Sequence, residues 1–551
     1  MPALLLAVLA LLLVAAPARA AAPTTGFETR NGASFTTHAE ELAFLDAVAQ
    51  GSPRVRVTEA GRTKENRPLQ LVEVGAPGPA GAEAARKRPT AMLVCSQHGN
   101  EPAGREACLK LLRDLAFTED PALVGLLERT TFIFVPTANP DGRAANQRAN
   151  RDSVDINRDH LTLDTPEARA MAALVRDWQP DVLLDLHEYG PSQPVIYDDA
   201  VLWLWPRNLN ADQQVHDLSI EMGREYLVKA SEEAGYPADE YGQAEVVDND
   251  VAQTAGDGDE GIMRNAMGLR HVLGILVETR VDFDVRESEL GPADQAKVQR
   301  RRVDSHLAVL SGMVRFMNER GADAARVTAE ATERKIAEGA GRTAPVYFGG
   351  ADNEKPAASD VVNPPPCGYE LSDAMVAELE PRLGLHGIRF DRIAGGALVP
   401  MGQAAEPVIP LLLDARGERH KTAGKPLDTC AAPGQAPAGN DAGAGGGGGG
   451  GGAAPGGQPA AAPAPAVTPV KSAPSCASRR TVAIRLPRVR GKVYRTRVHA
   501  NAKRVRVRRG VAYVQLRRAR TTVILRIARR VVRPGGRRVL LKQSRTVRVC
   551  G

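Results

Sequence analysis

The sequence predicts an α/β fold, and three observations carry that prediction. Short apolar runs recur at Ala91-Met92-Leu93-Val94, Thr131-Phe132-Ile133-Phe134-Val135, Val182-Leu183-Leu184 and 272–277. Segments with helical periodicity or helix caps lie between them. Polar, chemistry-bearing residues follow directly on each run. Strands that are apolar on both faces and alternate with helices belong to a sheet covered on both sides.

The elements are justified in chain order. Residues 3–16 are an unbroken apolar run, followed by Pro17 and Ala18-Arg19-Ala20. This is the h-region and small-x-small site of a signal peptide over residues 1–20, with cleavage expected after Ala20. The run is too short to span a bilayer comfortably, and no later segment reaches 18 apolar residues, so no transmembrane segment is expected after cleavage. The expectation is a secreted, extracellular protein, where the even count of six Cys is compatible with disulfides.

The alternating core domain is placed at 25–325. After the run ending at Val94, Pro102 opens a helix through Ala107, Leu109, Leu111 and Leu115. Thr165-Pro166-Glu167 reads as an N-cap with Pro at N1, and Pro180 stops that helix after Trp178. Residues 343–430 read as a small α+β appendage, with a helix over 372–380 and a Cys367–Cys430 crosslink as one possible closure. A loop of that size would gain roughly 4 kcal/mol from the crosslink. Cys95 and Cys108 are either a second pair or two buried thiols.

Residues 431–475 are Gly/Ala/Pro-rich, with eight consecutive glycines at 445–452, and read as a flexible linker of roughly 35 Å reach. Residues 476–551 alternate basic and apolar residues, as in Arg504-Val505-Arg506-Val507-Arg508, with turn signals such as Pro534-Gly535-Gly536. That is the period of half-buried strands and predicts a small β-sandwich, clasped by Cys476–Cys550.

Charge divides the 551 residues sharply. The chain carries 71 Lys+Arg and 65 Asp+Glu; 25 of the basic residues and none of the acidic ones lie in 476–551, leaving 46 basic against 65 acidic elsewhere. A basic tail of this kind meets solvent, the acidic body or an anionic polymer. Its only aromatics are Tyr494 and Tyr513, too few for a base-stacking platform, so no nucleic acid is expected; retention on an anionic cell-wall polymer or a membrane surface stands level with a plain β-domain whose basic face is solvated.

Ligand crevices in open α/β sheets lie outside the carboxyl ends of the strands. Four polar groups are placed there: His98-Gly99-Asn100-Glu101, Asn139-Pro140-Asp141-Gly142, Asp185-Leu186-His187-Glu188 and Glu278-Thr279-Arg280. A catalytic zinc takes three protein ligands and keeps one position open. His98 and Glu101 on one tight loop, with His187 from another strand end, supply such a set, leaving Glu278 as a base. No His-Glu-x-x-His occurs. Between these groups lies a cationic cluster, Arg148-Ala149-Asn150-Arg151, then Asp155-Ile156-Asn157-Arg158, suited to clamp a carboxylate.

Taken in order, His98-x-x-Glu101, Asn139-Pro140-Asp141-Gly142, Arg148-x-Asn150, Asp155-x-Asn157-Arg158, His187 and Val277-Glu278 resemble the zinc carboxypeptidase family, the metallocarboxypeptidases related to pancreatic carboxypeptidase A, in a secreted bacterial form. The resemblance covers roughly residues 27–319. It implies a three-layer α/β/α sandwich with a mixed sheet and one zinc ion per chain. By the same resemblance His98, Glu101 and His187 hold the metal, Glu278 is the catalytic base, Arg148 polarises the scissile carbonyl, and Asn157 and Arg158 grip the terminal carboxylate of a peptide. The family's substrate-capping Tyr has no counterpart in 254–265; Tyr241 lies farther back. Asp257, Asp259 and Glu260 read as a solvated loop, the alternative being a preference for a basic terminal residue. The competing functions are an N-acyl amino acid deacylase of the aspartoacylase or succinylglutamate desuccinylase type, and an inactive wall-binding surface protein.

Overall fold

The computed structural model describes residues 21–190, 197, 199–242, 244–247, 250–253, 257–281, 291–352 and 354–430, together with strands between 481 and 550. The signal peptide at 1–20, the linker at 431–475 and the Cys476–Cys550 clasp lie outside the described residues. Two compact units are present: 1–243 with 254–430, and 244–253 with 431–551.

The first unit is built on an eight-stranded sheet. Its strands are β1 (Val55–Arg62), β2 (Pro68–Val74), β3 (Thr90–Cys95), β4 (Thr131–Val135), β5 (Val182–Tyr189), β6 (Val201–Leu204), β7 (Ala238–Glu240) and β8 (Leu273–Arg280). Their spatial order is β1-β2-β4-β3-β5-β8-β6-β7. The centre, β4-β3-β5-β8, is parallel. Antiparallel pairings of β2 with β4 and of β6 with β8 make the sheet mixed.

Helices cover both faces, which is why the central strands read as continuous apolar runs. The chief helices are α1 (His38–Gly51), α2 (Ala103–Phe117), α3 (Pro166–Trp178), α4 (Pro292–Gly341) and α5 (Asp373–Leu385). Along β3, Ala91, Leu93 and Cys95 face one core with Leu109, Leu112 and Met313, while Met92 and Val94 face a second core with Met171 and Trp178. On α3, Thr165 accepts from Ala168 N and Pro166 occupies the first turn, as its sequence signature predicts. Gly104 is required by packing: a Cβ there would stand 2.8 Å from Leu186 Cβ, so α2 can lie directly on β5.

Two strands extend beyond their apolar runs. β5 continues through His187 to Tyr189, and β8 continues through Glu278 to Arg280. The polar residues thus take the alternating directions of a strand. The helix α4 runs 50 residues, about 75 Å at 1.5 Å per residue, and passes without a break through 325. Its last third is Ala-, Glu- and Arg-rich, and the helix stops where Arg342 turns left-handed at φ 55°.

Residues 343–430 form a four-stranded antiparallel sheet in the order Asp391–Ile393, Gly396–Pro400, Gly368–Ser372, Lys425–Leu427, with α5 against it. The apolar stretch after Val408 is a short helix, Ile409–Leu413. Cys367 and Cys430 are bridged, and so are Cys95 and Cys108. In the second unit the basic tail consists of antiparallel strands in a three-stranded and a four-stranded sheet.

The first unit buries neutral histidines. Burial pulls His271 down to about 4 and His306 to about 3. Their folded values lie below the unfolded value of about 6.5, so the unfolded chain binds more protons between these limits and stability falls with pH. We expect the urea midpoint to drop between pH 7 and pH 4.5, with His271 alone accounting for a loss on the order of 3 kcal/mol by pH 4. His271→Asn should reduce the drop; an unchanged pH profile would contradict the assignment.

Candidate metal centre and active site

After β3 the chain reverses at Ser96, which takes φ 52°, and places His98 and Glu101 on a tight turn before α2. Glu101 N donates to His98 O at 3.1 Å. The turn is pressed against the Asn139-Pro140-Asp141-Gly142 segment, where a Cβ on Gly99 would stand 2.0 Å from the Gly142 carbonyl carbon. Asn139 caps that helix by accepting from Gly142 N at 2.8 Å.

β5 supplies the other imidazole. Leu183, Asp185 and His187 share one face of the strand, and Glu188 takes the opposite one. Glu188 is consumed there: Arg302 Nε donates to it at 2.7 Å and Ala103 N at 2.9 Å. His187 Nδ1 lies 2.9 Å from His98 Nδ1 and 2.9 Å from Glu101 Oε2; His98 Nδ1 lies 2.9 Å from Glu101 Oε1. All three residues are buried, and they form a group whose donor atoms could hold a metal ion.

This donor triangle fits zinc. Four-coordinate zinc with ligand bonds near 2.0–2.1 Å needs donors about 3.3 Å apart, so a small opening of the triangle suffices. Two imidazole nitrogens facing each other at 2.9 Å also need a cation or proton between them. Both outer nitrogens are held by carboxylates, which leaves each Nδ1 to face inward. Asp155 Oδ1 lies 3.1 Å from His98 Nε2, and Asp185 Oδ2 lies 2.8 Å from His187 Nε2. Such partners fix tautomer and ring orientation at metal sites.

The support continues outward. Gln97 Nε2 donates to both Asp185 oxygens at 3.0 Å, and His160 Nε2 donates to Gln97 Oε1. Burial pulls His160 down to about 4, which keeps it neutral. Burial alone would raise Asp155, but its bond to His98 and the charges of His98 and Arg148 outweigh this and hold the carboxylate well below its usual range. Sequence reasoning assigned no role to Asp185, Asp155, Gln97 or His160. The i, i+2 spacing of Asp185 and His187 on a strand was a usable signal; His160 had none.

Glu278 is the register partner of His187 on the neighbouring parallel strand, so both project from the same side of the sheet. Burial pushes its carboxyl up to about 7, against the favourable charge of His187 and with the opposing charge of Glu101. Arg148 Nη1 donates to His98 Nδ1 at 3.1 Å and lies 3.5 Å from Glu101 Oε1; its Nε donates to Asp155 at 3.0 Å. Tyr241 is half-buried against Tyr197, with ring centroids 5.6 Å apart. Burial, with the Glu278 charge nearby, pushes its hydroxyl up to about 12.

Asn157, expected beside Arg158 as a carboxylate ligand, turns inward. Its Nδ2 lies 3.1 Å from His187 Nε2 and 3.5 Å from Asp185 Oδ2, while its Oδ1 accepts from Met263 N at 2.8 Å. Arg158 remains outward and exposed, anchored by a 2.7 Å bond to the Asn157 carbonyl and 3.8 Å from Asp259. The acidic loop is also not simply solvated. Arg419 of the appendage donates to Asp259 at 2.7 Å, and Glu260 is buried, which pushes its carboxyl up to about 7.

Residues 41–259 match the model of the zinc carboxypeptidase family. Those residues are therefore similar to a zinc carboxypeptidase domain. Carboxypeptidase 2 of Trichophyton rubrum is 31% identical over 259 residues, covering 45% of this chain and 48% of that protein. Carboxypeptidase E of Caenorhabditis elegans is 32% identical over 148 residues, covering 24% of this chain and 30% of its own length. Among solved structures, a metallo-carboxypeptidase from Pseudomonas aeruginosa in complex with (2-guanidinoethylmercapto)succinic acid aligns with 52% of this chain and 69% of its own, at 20% identity and a TM-score of 0.38. The chain thus spans about half the length of the curated relatives it matches. The donor triangle falls inside the matched residues and Glu278 lies beyond them.

If Asp185 orients His187 for a metal, Asp185→Asn should weaken zinc retention about 10- to 100-fold, measured by competition with a chromophoric chelator. Unchanged retention would remove Asp185 from the metal's support.

Proposed function

We propose that the protein is a zinc-dependent carboxypeptidase that hydrolyses the C-terminal peptide bond of peptides with a free terminal carboxylate. The observation that carries this reading is the inward-facing triangle of His98, Glu101 and His187 with Glu278 in register beside it. One zinc ion held by those three residues would supply Lewis acidity and a water acidified toward neutral pH. Glu278, half-buried and raised to about 7, suits a base that takes the proton of the attacking water and passes it to the leaving amine. Arg148, beside His98 and Glu101, is placed to donate to the carbonyl oxygen as charge develops there.

Arg158, whose guanidinium is exposed, and Asn157 beside it are assigned to the substrate carboxylate. Asn157 also holds the loop that carries Arg158 against His187. Tyr241 supplies an aromatic flank near Glu278. An internal peptide bond offers no carboxylate to Arg158, which restricts cleavage to chain ends. A deacylase reading is not favoured, since the relatives named above are carboxypeptidases. An inactive binder has no need of a complete donor set with an adjacent base.

The two disulfides of the first unit support a protein that works outside the cytoplasm. Among the described residues no helix is long and apolar enough to cross a membrane. We assign the basic tail to retention on anionic wall polymer, on its charge alone.

Glu278→Gln should retain zinc and lose about 10²- to 10⁴-fold in kcat on a free-acid peptide, while the C-terminally amidated peptide should resist the wild type. Near-normal turnover of the variant, or equal cleavage of both peptides, would refute the assignment. For the tail, the full chain should co-sediment with purified anionic wall polymer and a chain ending at 430 should not; equal co-sedimentation would reject the tether.

A further inference from the structure

A cavity of about 630 Å³ opens at the end of the sheet opposite the metal centre. Pro89, Asp181 and Val272, which immediately precede or begin β3, β5 and β8, form its floor, and α4 and the 343–430 appendage form its walls. Its lining holds six Lys or Arg residues and one Asp. That Asp is already satisfied: Thr328 Oγ1 donates to one oxygen of Asp181 at 2.6 Å and Thr90 N to the other at 2.9 Å, while burial pushes its carboxyl up to about 6.

Most of the cationic residues have partners of their own. Arg176 is paired with Asp177, Arg326 with Glu330 and Asp323, and Lys87 with Glu83. Arg86 and Arg88 donate to main-chain carbonyls of Asp177 and Glu128. Arg270 differs. Its one hydrogen-bond partner among the described residues is His386, whose Nδ1 accepts from Arg270 Nη2 at 2.6 Å. His386 Nε2 in turn donates to Leu161 O at 2.8 Å, so the imidazole is neutral and gives the guanidinium no counter-charge. One of the five N–H groups of Arg270 is thereby used, in a fixed orientation. Burial, with Arg176 nearby, pulls its guanidinium down to about 10. A half-buried cation of this kind is costly without an anion and becomes favourable with one.

We propose that this cavity is a second binding site, distinct from the metal centre, that takes a compact, multiply charged oxyanion anchored on Arg270. The shared chemistry is that of a phosphate group or a polycarboxylate. Arg270 supplies a fork of open donors, and Arg86 and Arg88, whose partners are neutral carbonyls, add positive charge at the rim.

The test uses the full chain with inorganic phosphate and with citrate, each titrated against chloride at matched ionic strength and followed by melting temperature and calorimetry. At least one anion should bind at millimolar concentration or below and raise the melting temperature. Arg270→Met should weaken that binding about ten- to a hundred-fold and, in chloride alone, melt no lower than the wild type because it removes an uncompensated cation. Should Arg270→Met fail to fold, Arg270→Lys carries the same comparison, since it keeps the charge and loses the fork. The response to phosphate against citrate identifies the source. An anion drawn to the metal centre would bind both variants as tightly as the wild type. That result, or no binding of either anion to the wild type, overturns the proposal.

Discussion

The geometry of this protein turns on one close approach. Two imidazole nitrogens from residues 89 positions apart in the chain face each other at 2.9 Å, with Glu101 Oε2 2.9 Å from that of His187 and 3.0 Å from that of His98. No isolated loop could maintain that arrangement, because three polar groups with converging lone pairs repel one another unless a cation joins them. The scaffold imposes it by placing carboxylates behind both rings. Asp155 and Asp185 hold the outer nitrogens, and Gln97 with His160 holds Asp185. The consequence is a pair of rings whose inward nitrogens converge, with Arg148 beside that of His98.

The parallel register of β5 and β8 does the rest of the positioning. Pairing Glu278 with His187 puts a carboxyl beside the triangle at a fixed height and on the same face. Burial then shifts that carboxyl toward neutrality, which is the condition for a group that must both accept and release a proton. A slip of one residue along β8 would point Glu278 to the other face of the sheet, where Glu188 already meets Arg302. The strand pairing is therefore a chemical constraint as well as a structural one.

The 343–430 appendage is bound into the same unit as the α/β sheet. Arg419 reaches Asp259 on the loop beside Arg158, which neutralises an acid next to the group assigned to the substrate carboxylate. On the opposite side, His386 fixes Arg270 at the wall of the basic cavity. One appendage thus adjusts charge at both ends of the sheet, and the long helix α4 gives it a rigid base.

The local chain chemistry was sufficient for much of this. Continuous apolar runs flanked by helix caps specify a two-sided sheet, because no other arrangement buries them. The spacing His98-x-x-Glu101 and the polar ends of β5 and β8 point to candidate donors and a candidate base, because few side chains bind zinc. The strict alternation in 476–551 specifies strands, as found. What the chain order could not reveal was direction. Whether Asn157 faces a substrate or His187, whether Glu188 or Glu278 joins the triangle, and which carboxylate stands behind each imidazole all depend on strand register and on contacts between distant segments. The same holds for Arg270, an ordinary residue in the sequence, whose lack of a counter-charge exists only because an appendage more than a hundred residues later closes over it with a neutral imidazole. Composition and periodicity act through neighbours along the chain; pairing of charges acts through space, and only the folded chain decides it.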